Sequence, residues 1–287
     1  MAENKLTYII VLNYNSSECT IQCMKSLLQL INSRFKIIIV DNFSSDSSLI
    51  HIKEWIRDKN KSYFKIIKNK FNYGYSKGNN IGISYALNQN DCKNLWILNN
   101  DCTVHKNALE ELIKSDANFD SHGIWGSKVL YPNGRIQSLG CRINNKFMLT
   151  YHNYNNSIDK KTDFKIDRID YIHGCSMFFN KIIIEKIGYL PEQYFMFFDD
   201  VDFCKKALDE GINLNISQNS IVIHEEGVSI KKNKLEYLAL INRIKFAKKY
   251  FPSKLFYVYL GICFEIIKSI FLLRFYLAKK IILNFKK

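Results

Sequence analysis

Short apolar bursts alternate with longer amphipathic stretches through the first third of the chain, the rhythm of strands and crossover helices. Tyr8–Leu12 reads as a buried strand and the polar turn Asn13-Tyr14-Asn15-Ser16-Ser17 follows it. Ile21, Met24, Leu27, Leu28 and Ile31 then recur at helical spacing. Phe35–Val40 is the next strand and ends in Asp41; the serine-rich stretch 44–48 offers N-cap residues for a helix over Leu49–Arg57. Phe64–Ile67 is a third strand. Gly74, Gly78 and Gly82 punctuate a loop that enters a helix, and Leu95–Leu98 is a fourth strand, ending in Asn99-Asn100-Asp101. Repetition of this kind predicts an α/β fold whose mostly parallel central sheet carries helices on both faces.

Beyond Asn107 the pattern is mixed. A helix over Ala108–Ser115 precedes short strand-like pieces and the turn Tyr131-Pro132-Asn133-Gly134. The polar stretch Asn153–Asp167 reads as a surface loop, and Ile221–Ile223 reads as a strand running into His224. From Lys254 onward a helical wheel gathers Lys254, Glu265, Lys268, Lys279, Lys280, Lys286 and Lys287 into one sector about 120° wide, with only Arg274 opposite. The longest uncharged run at its start, Leu255–Phe264, is half of the roughly 20 residues needed to span a bilayer. Such a helix is expected to lie in a membrane surface; the bland alternative is a helix packed on the body with its basic edge solvated.

Charge sharpens that division. Of the formal +14, residues 229–287 carry +12, from 14 Lys and Arg against 2 Glu, while the 228 residues before them are nearly neutral. A near-neutral body with a basic tail fits an enzyme held on an anionic membrane, and also a nucleic-acid-binding module. The chain's size allows one large domain, and the division expected is 1–228 for catalysis and 229–287 for a basic amphipathic tail. Residues 1–11 hold too short an apolar run for a signal peptide, so a cytoplasmic location, on the inner face of the cell membrane, is expected. The eight cysteines include no Cys-x-x-Cys pair and no histidines at zinc spacing, and read as reduced packing residues.

Open α/β sheets bind ligands at the carboxyl ends of their strands. Three polar clusters stand there: Asn13-Tyr14-Asn15, Asp41-Asn42 and Asn99-Asn100-Asp101. Each alone is what a turn or helix cap requires; three at successive strand ends indicate a shared crevice. Asp101 after a buried strand suits a hard divalent cation, with Asn99 adding a neutral oxygen. In Phe195-Met196-Phe197-Phe198-Asp199-Asp200-Val201-Asp202, adjacent acids against an aromatic wall raise one another's pKa, as a general base requires. Asp202, with Lys206 four residues on, reads as the structural member. His224, at a strand end, is open to a metal role or a plain hydrogen bond. The glycine loop matches neither the dinucleotide fingerprint nor the P-loop, which weighs against dehydrogenases and P-loop kinases.

The order VLNYNSSECTIQCMKSLL, IIIVDNFSSDSS, NYGYSKGNNIGI, LWILNNDCTV, HGCSMFFNK, YFMFFDDVDFCKKALDEG, IVIHEEG resembles the inverting family-2 glycosyltransferases of the GT-A fold, over residues 7 to about 228. WGSKVLYPNGRIQSLG further resembles the rhamnosyltransferase-like branch that builds bacterial surface polysaccharides. The resemblance implies that Asp41 contacts the donor's base and that Asn79 lies in the loop along the nucleotide, with Asn13 and Asn99 also on the donor side. It implies that Asp101, the last acid of an Asp-x-Asp motif whose first acid is here Asn99, joins His224 in holding Mn²⁺ or Mg²⁺. Asp200 takes the place of the catalytic base and Asp199 that of its paired acid. The reaction implied is one inverting displacement, from a dTDP-rhamnose-like or UDP-sugar donor to a saccharide or polyprenyl-linked saccharide acceptor, with no nucleic-acid partner. The alternatives are a nucleotidyltransferase and a non-catalytic nucleic-acid-binding module.

Overall fold

The computed structural model describes residues 5–119, 122–160, 164–225 and 236–271. Four parallel strands open the sheet: β1 (Leu6–Asn13), β2 (Phe35–Asp41), β3 (Phe64–Lys68) and β4 (Cys92–Asn99), in the order β3-β2-β1-β4. Between them run α1 (Ser17–Leu27), α2 (Ser48–Arg57) and α3 (Gly74–Leu87). The chain moves from β1 outward to β3, then returns past β1 to lay down β4. The order therefore reverses beside β1, where open α/β sheets hold their ligands.

The second half extends the same sheet with reversed members. β5 (Cys102–Val104), α4 (Ala108–Ala117), β6 (Ile124–Leu130) and β7 (Ile136–Ser138) come first, and β8 (Cys141–Ile143) and β9 (Thr150–His152) form a separate hairpin. β10 (Ser176–Asn180) then pairs antiparallel with both β4 and β6, followed by α5 (Ile182–Ile187) and α6 (Asp199–Asp209). β11 (Leu214–His224) runs parallel to β6 and, at its end, antiparallel to β5, setting His224 opposite Cys102. α7 (Glu236–Tyr250) and α8 (Leu255–Phe271) follow.

Strand alternation divides the core. Ile9, Val11, Ile37 and Ile39 face one side with Met24, Leu27, Ile52, Leu109 and Leu112 from α1, α2 and α4. Tyr8, Ile10, Ile38 and Val40 face the other, with Ile83 of α3, Phe203 of α6, Phe246 of α7 and Val258 and Ile262 of α8. The helices are thus on both faces, as the pattern requires.

Four expectations change. The first helix stops at Leu27, and Asn32 takes a left-handed φ of 53°, so Ile31 sits exposed instead of continuing the apolar face. Gly78 and Gly82 lie inside α3 and not in a loop; a Cβ there would come within 2.6 Å of Leu12 and 2.7 Å of Ile10, so their absent side chains let α3 lie against β1. The stretch after His152 is folded back on the sheet by Lys128–Asp159 at 2.9 Å and a bridge between Arg135 and Ile158. Of the expected tail 229–287, residues 229–235 and 272–287 lie outside the described residues, but α7 and the first turns of α8 belong to the core of the body.

Candidate active site

Asn13 ends β1 and is fully buried. Its amide donates to Asp41 (2.9 Å) and Ser44 Oγ (3.0 Å), and its carbonyl accepts from Thr20 Oγ1 (2.7 Å). Asp41 also accepts from the hydroxyl (2.6 Å) and backbone N–H (3.2 Å) of Ser44. Both residues are closed to solvent and hold the shape of the β1 and β2 loops. Asn42 clips the neighbouring loop: its amide reaches Asn72 and Gly74, and its carbonyl accepts from Asn69 and the Tyr73 N–H. Above these clips stand Phe43, Phe71 and Tyr73, with rings 6.2 and 6.0 Å apart, Phe43 and Phe71 exposed, and Phe43 at φ 68°. Sequence reasoning missed this aromatic platform, although an aromatic directly after Asp41-Asn42 was its signal. Asn79 is buried in α3 with its amide on the Tyr75 carbonyl (3.0 Å), so as placed it is a helix residue and not part of a loop.

The acids come next. Phe197 and Phe198 both adopt left-handed φ, 69° and 67°, a conformation that costs roughly 1–2 kcal/mol per non-glycine residue. The turn is held by Asn242 of α7, whose amide donates to the carbonyls of Met196 (2.8 Å) and Phe197 (3.1 Å). It delivers Asp199 and Asp200 to the start of α6, the favourable end of the helix dipole for acids. Asp199 is buried, and burial together with the Asp200 charge pushes its carboxyl well above the usual range. Asp200 is half-buried and accepts from the N–H of Gly174 (3.0 Å) and of Val201 (2.8 Å). Burial raises it too, while His173 and those N–H groups restrain the rise. Gly174 is where a side chain would collide with this carboxylate, its Cβ position being 3.3 Å from Asp200 Oδ2, and its carbonyl accepts from Tyr75 OH at 2.5 Å.

The turn 173–175 also faces the third group. The β5–β11 pairing brings His224 Nε2 to 3.2 Å from Asp101 Oδ1, both buried, and His224 Nδ1 lies 2.9 Å from Gln137 Oε1. That outer contact orients the imidazole towards Asp101, as metal-binding histidines require. Two ligands about 2.1 Å from one tetrahedral ion stand roughly 3.3 Å apart, so this pair fits a shared cation. Asn99 is half-buried and its N–H donates to the Cys175 carbonyl at 2.9 Å. His173 stands beside His224 (ring centroids 5.6 Å) and its Nδ1 is 3.0 Å from Cys175 Sγ. Burial alone would raise the Cys175 thiol, but Cys102, His173 and His224 overcome it and hold the thiol well below its usual range. The absence of zinc spacing along the sequence hid this cluster, since its members come from three separate segments, 101–102, 173–175 and 224.

Asp200 and His224, with Asp101 beside it, are thus gathered about one turn, while Asn13 and Asp41 are buried at the ends of β1 and β2 and Asn79 is buried within α3. A sheet that reverses beside β1, with acids and imidazoles at that turn, defines a GT-A-type α/β fold. The chain belongs to glycosyl transferase family 2, whose pattern matches residues 8–188. It is 29% identical over 231 residues to the low-salt glycan biosynthesis hexosyltransferase Agl10 of Haloferax volcanii, covering 77% of this chain and 67% of that protein. The fold is similar to the mannosyltransferase PcManGT of Pyrobaculum calidifontis in complex with GDP-Man and Mn²⁺ (TM-score 0.60, 12% identity, 88% and 69% of the two chains). It is also similar to S. aureus TarS 1–349 in complex with UDP-GlcNAc (TM-score 0.56, 17% identity, 83% and 66%).

Proposed function

We propose that this glycosyltransferase moves a sugar, with inversion, from a nucleoside-diphosphate sugar to a hydroxyl of a saccharide or polyprenyl-linked saccharide during surface-glycan assembly. The observation that carries the reading is the turn 173–175, which touches Asp200 on one side and the Asp101–His224 pair on the other. An acceptor hydroxyl at Asp200 loses its proton to that carboxylate as its oxygen attacks the anomeric carbon. The N–H groups of Gly174 and Val201 aim the carboxylate, while burial and the Asp200 charge shift Asp199 towards its neutral form. A divalent cation bound by Asp101 and His224 would supply neutralisation of the diphosphate leaving group. Phe43, Phe71 and Tyr73 offer the flat apolar surface on which a nucleobase stacks.

A UDP-sugar is supported as donor by the TarS complex with UDP-GlcNAc, and a divalent cation by the Mn²⁺ of the PcManGT complex. The rhamnosyltransferase-like branch, and with it a dTDP-rhamnose-like donor, rests on the segment 125–140. The test is a panel of nucleotide sugars with nucleoside diphosphate release as readout and product anomeric configuration by NMR. Release with inverted configuration is expected; pyrophosphate release from a nucleoside triphosphate would instead establish nucleotidyl transfer.

The place of action is read as the inner face of an anionic membrane. Among the described residues no helix is long and apolar enough to cross a bilayer. The division at residue 228 is then one of role, the later segment both bracing the acids and meeting the membrane.

A further inference from the structure

Asp101 and His224 alone do not complete a cation's shell, and Asn99 has removed the carboxylate that the resemblance expects beside them. The donors that surround the pair are of another kind. Ligating atoms of His173, Cys175 and His224 lie within 4.8 Å of one another, and so do those of Asp101, Cys102 and His224. His224 belongs to both groups, so it stands between a carboxylate with one thiol and an imidazole with a second thiol. Of the two thiols, Cys102 directs its S–H to the Cys175 carbonyl at 3.7 Å, whereas Cys175 Sγ faces His173 Nδ1 at 3.0 Å. An ion shared by that pair, at about 2.3 Å from sulfur and 2.1 Å from nitrogen, needs them roughly 3.5 Å apart, an opening of about half an ångström.

Hard Mg²⁺ takes oxygen ligands in an octahedron, whereas mixed thiolate, imidazole and carboxylate in a tetrahedron select Zn²⁺. We propose that His173, Cys175 and His224 form a thiophilic cation site beside Asp101 that binds Zn²⁺ in preference to Mg²⁺, with Cys175 as a direct sulfur ligand and one position left open. Any proton still on Cys175 leaves to solvent on binding, so that the ion carries a thiolate. The inference rests on the reading of His224 as a cation ligand, but not on glycosyl transfer itself.

The test uses the full-length reduced protein stripped of metal and titrated with Co²⁺, a spectroscopic stand-in for Zn²⁺. A sulfur-to-cobalt charge-transfer band in the near ultraviolet is expected, abolished by equimolar Zn²⁺ and unaffected by a large excess of Mg²⁺. Cys175→Ser, near-isosteric, is expected to lose the band, and His173→Gln to weaken Co²⁺ binding at least about tenfold with an unchanged far-ultraviolet spectrum. Cobalt bound without the band, a band surviving in Cys175→Ser, or displacement by equimolar Mg²⁺ would overturn the proposal. Nucleoside diphosphate release is measured in parallel with Mn²⁺. Its absence under every cation removes the transfer reading and leaves the cobalt result standing; its presence without the band removes only the thiophilic site.

Discussion

Lys249 of α7 places its ammonium 2.7 and 3.0 Å from the two carboxylate oxygens of Asp202, the third acid of the α6 start. Tyr250 OH (2.7 Å), Tyr194 OH (2.8 Å) and Gln193 Nε2 (3.0 Å) donate to the same buried group. Asp202 is therefore a structural anchor as the sequence indicates, but its partner is not Lys206. On α6 Lys206 is one turn away at the surface, whereas α7 covers the buried face of the acid. With Asn242 on the Met196 and Phe197 carbonyls, α7 fixes both ends of the turn that carries Asp199 and Asp200.

Removing these clamps separates stability from positioning. Asp202→Ala leaves a partly solvated ammonium and three further donors without their acceptor and should cost about 2–3 kcal/mol, mostly from the donors that stay buried. Lys249→Ala, whose side chain is partly solvated and whose acid keeps three donors, should cost about 1 kcal/mol. Asn242→Ala should lower turnover with little change in donor KM, because the relaxed turn misplaces Asp200 while the nucleotide side is untouched. Urea unfolding and a kcat-against-KM comparison check these; an Asn242→Ala enzyme that loses only donor affinity would refute the positioning role.

The acids divide by pH as well as by mutation. Asp200→Asn should keep the fold and nearly abolish transfer, while Asp199→Asn should retain most turnover. Asp200 is raised above the ordinary carboxylate range, with Asp199, His173, Cys175 and Tyr75 facing it, so the acidic limb of kcat/KM should lie above that range. Asp199 is raised further, so the native state favours its neutral form. That contribution is full below its unfolded value of 3.8 and is lost as pH rises towards the native value. Asp199→Asn does not titrate and should gain stability over wild type as pH increases above 4, read by thermal melts across pH.

Chelation addresses the cation. EDTA or Asp101→Ala should suppress nucleoside diphosphate release, with added divalent cation restoring the chelated wild type but not the variant. Full turnover in EDTA would mean that Asn99 marks a site working without metal.

Much of the fold was legible because it is written locally. Strands β1 to β4 each centre on a short apolar run, and the polar clusters at the ends of β1, β2 and β4 mark the reversal beside β1. The motif order carried the acids and His224 as well. What escaped is long-range. Lys249 and Asn242 lie in a stretch whose charge suggested a separate tail, and His173 and Cys175 gain meaning only when β10 and β11 bring them to His224. Asp41 and Asn13 were legible as a pair at adjacent strand ends; that hydrogen bonds to each other bury them is a property of the folded loops.

Glycine spacing in α3 gives a stability test. Gly78→Ala and Gly82→Ala each push a methyl into Leu12 or Ile10 across the helix–sheet contact, and should cost about 1–3 kcal/mol. Gly134→Ala meets no atom within 4 Å but occupies φ +79°, so its smaller cost, about 1 kcal/mol, comes from backbone strain alone. Equal losses at Gly78 and Gly134 in urea unfolding would show that α3 does not need the close approach.

The last prediction concerns α8. Its inner face is committed: Val258 and Ile262 are fully buried, and Phe147 stacks edge-on against Tyr257 with ring centroids 6.3 Å apart. Its outer face is not polar. Phe256, Leu260, Phe264, Ile267 and Phe271 recur at helical spacing and are exposed, Phe256 at 72% and Phe271 at 83%. On a wheel at 100° per residue this stripe lies opposite the buried face of Val258 and Ile262, and about 110° round from the sector of Lys254, Glu265 and Lys268, so packing on the body leaves this apolar side outward. A stripe of this width with +12 in the same segment matches an in-plane membrane helix, apolar face in the acyl boundary and lysines near anionic head groups. The full chain should pellet with vesicles containing anionic lipid and be partly released by salt. Phe256→Ser/Phe264→Ser/Phe271→Ser, which alters only exposed positions, should stay in the supernatant with an unchanged melting temperature, whereas cutting the chain at 228 would also remove the α7 clamp and lose the fold. Vesicle binding that survives the triple substitution, or is absent in both proteins, would return α8 to a purely structural role.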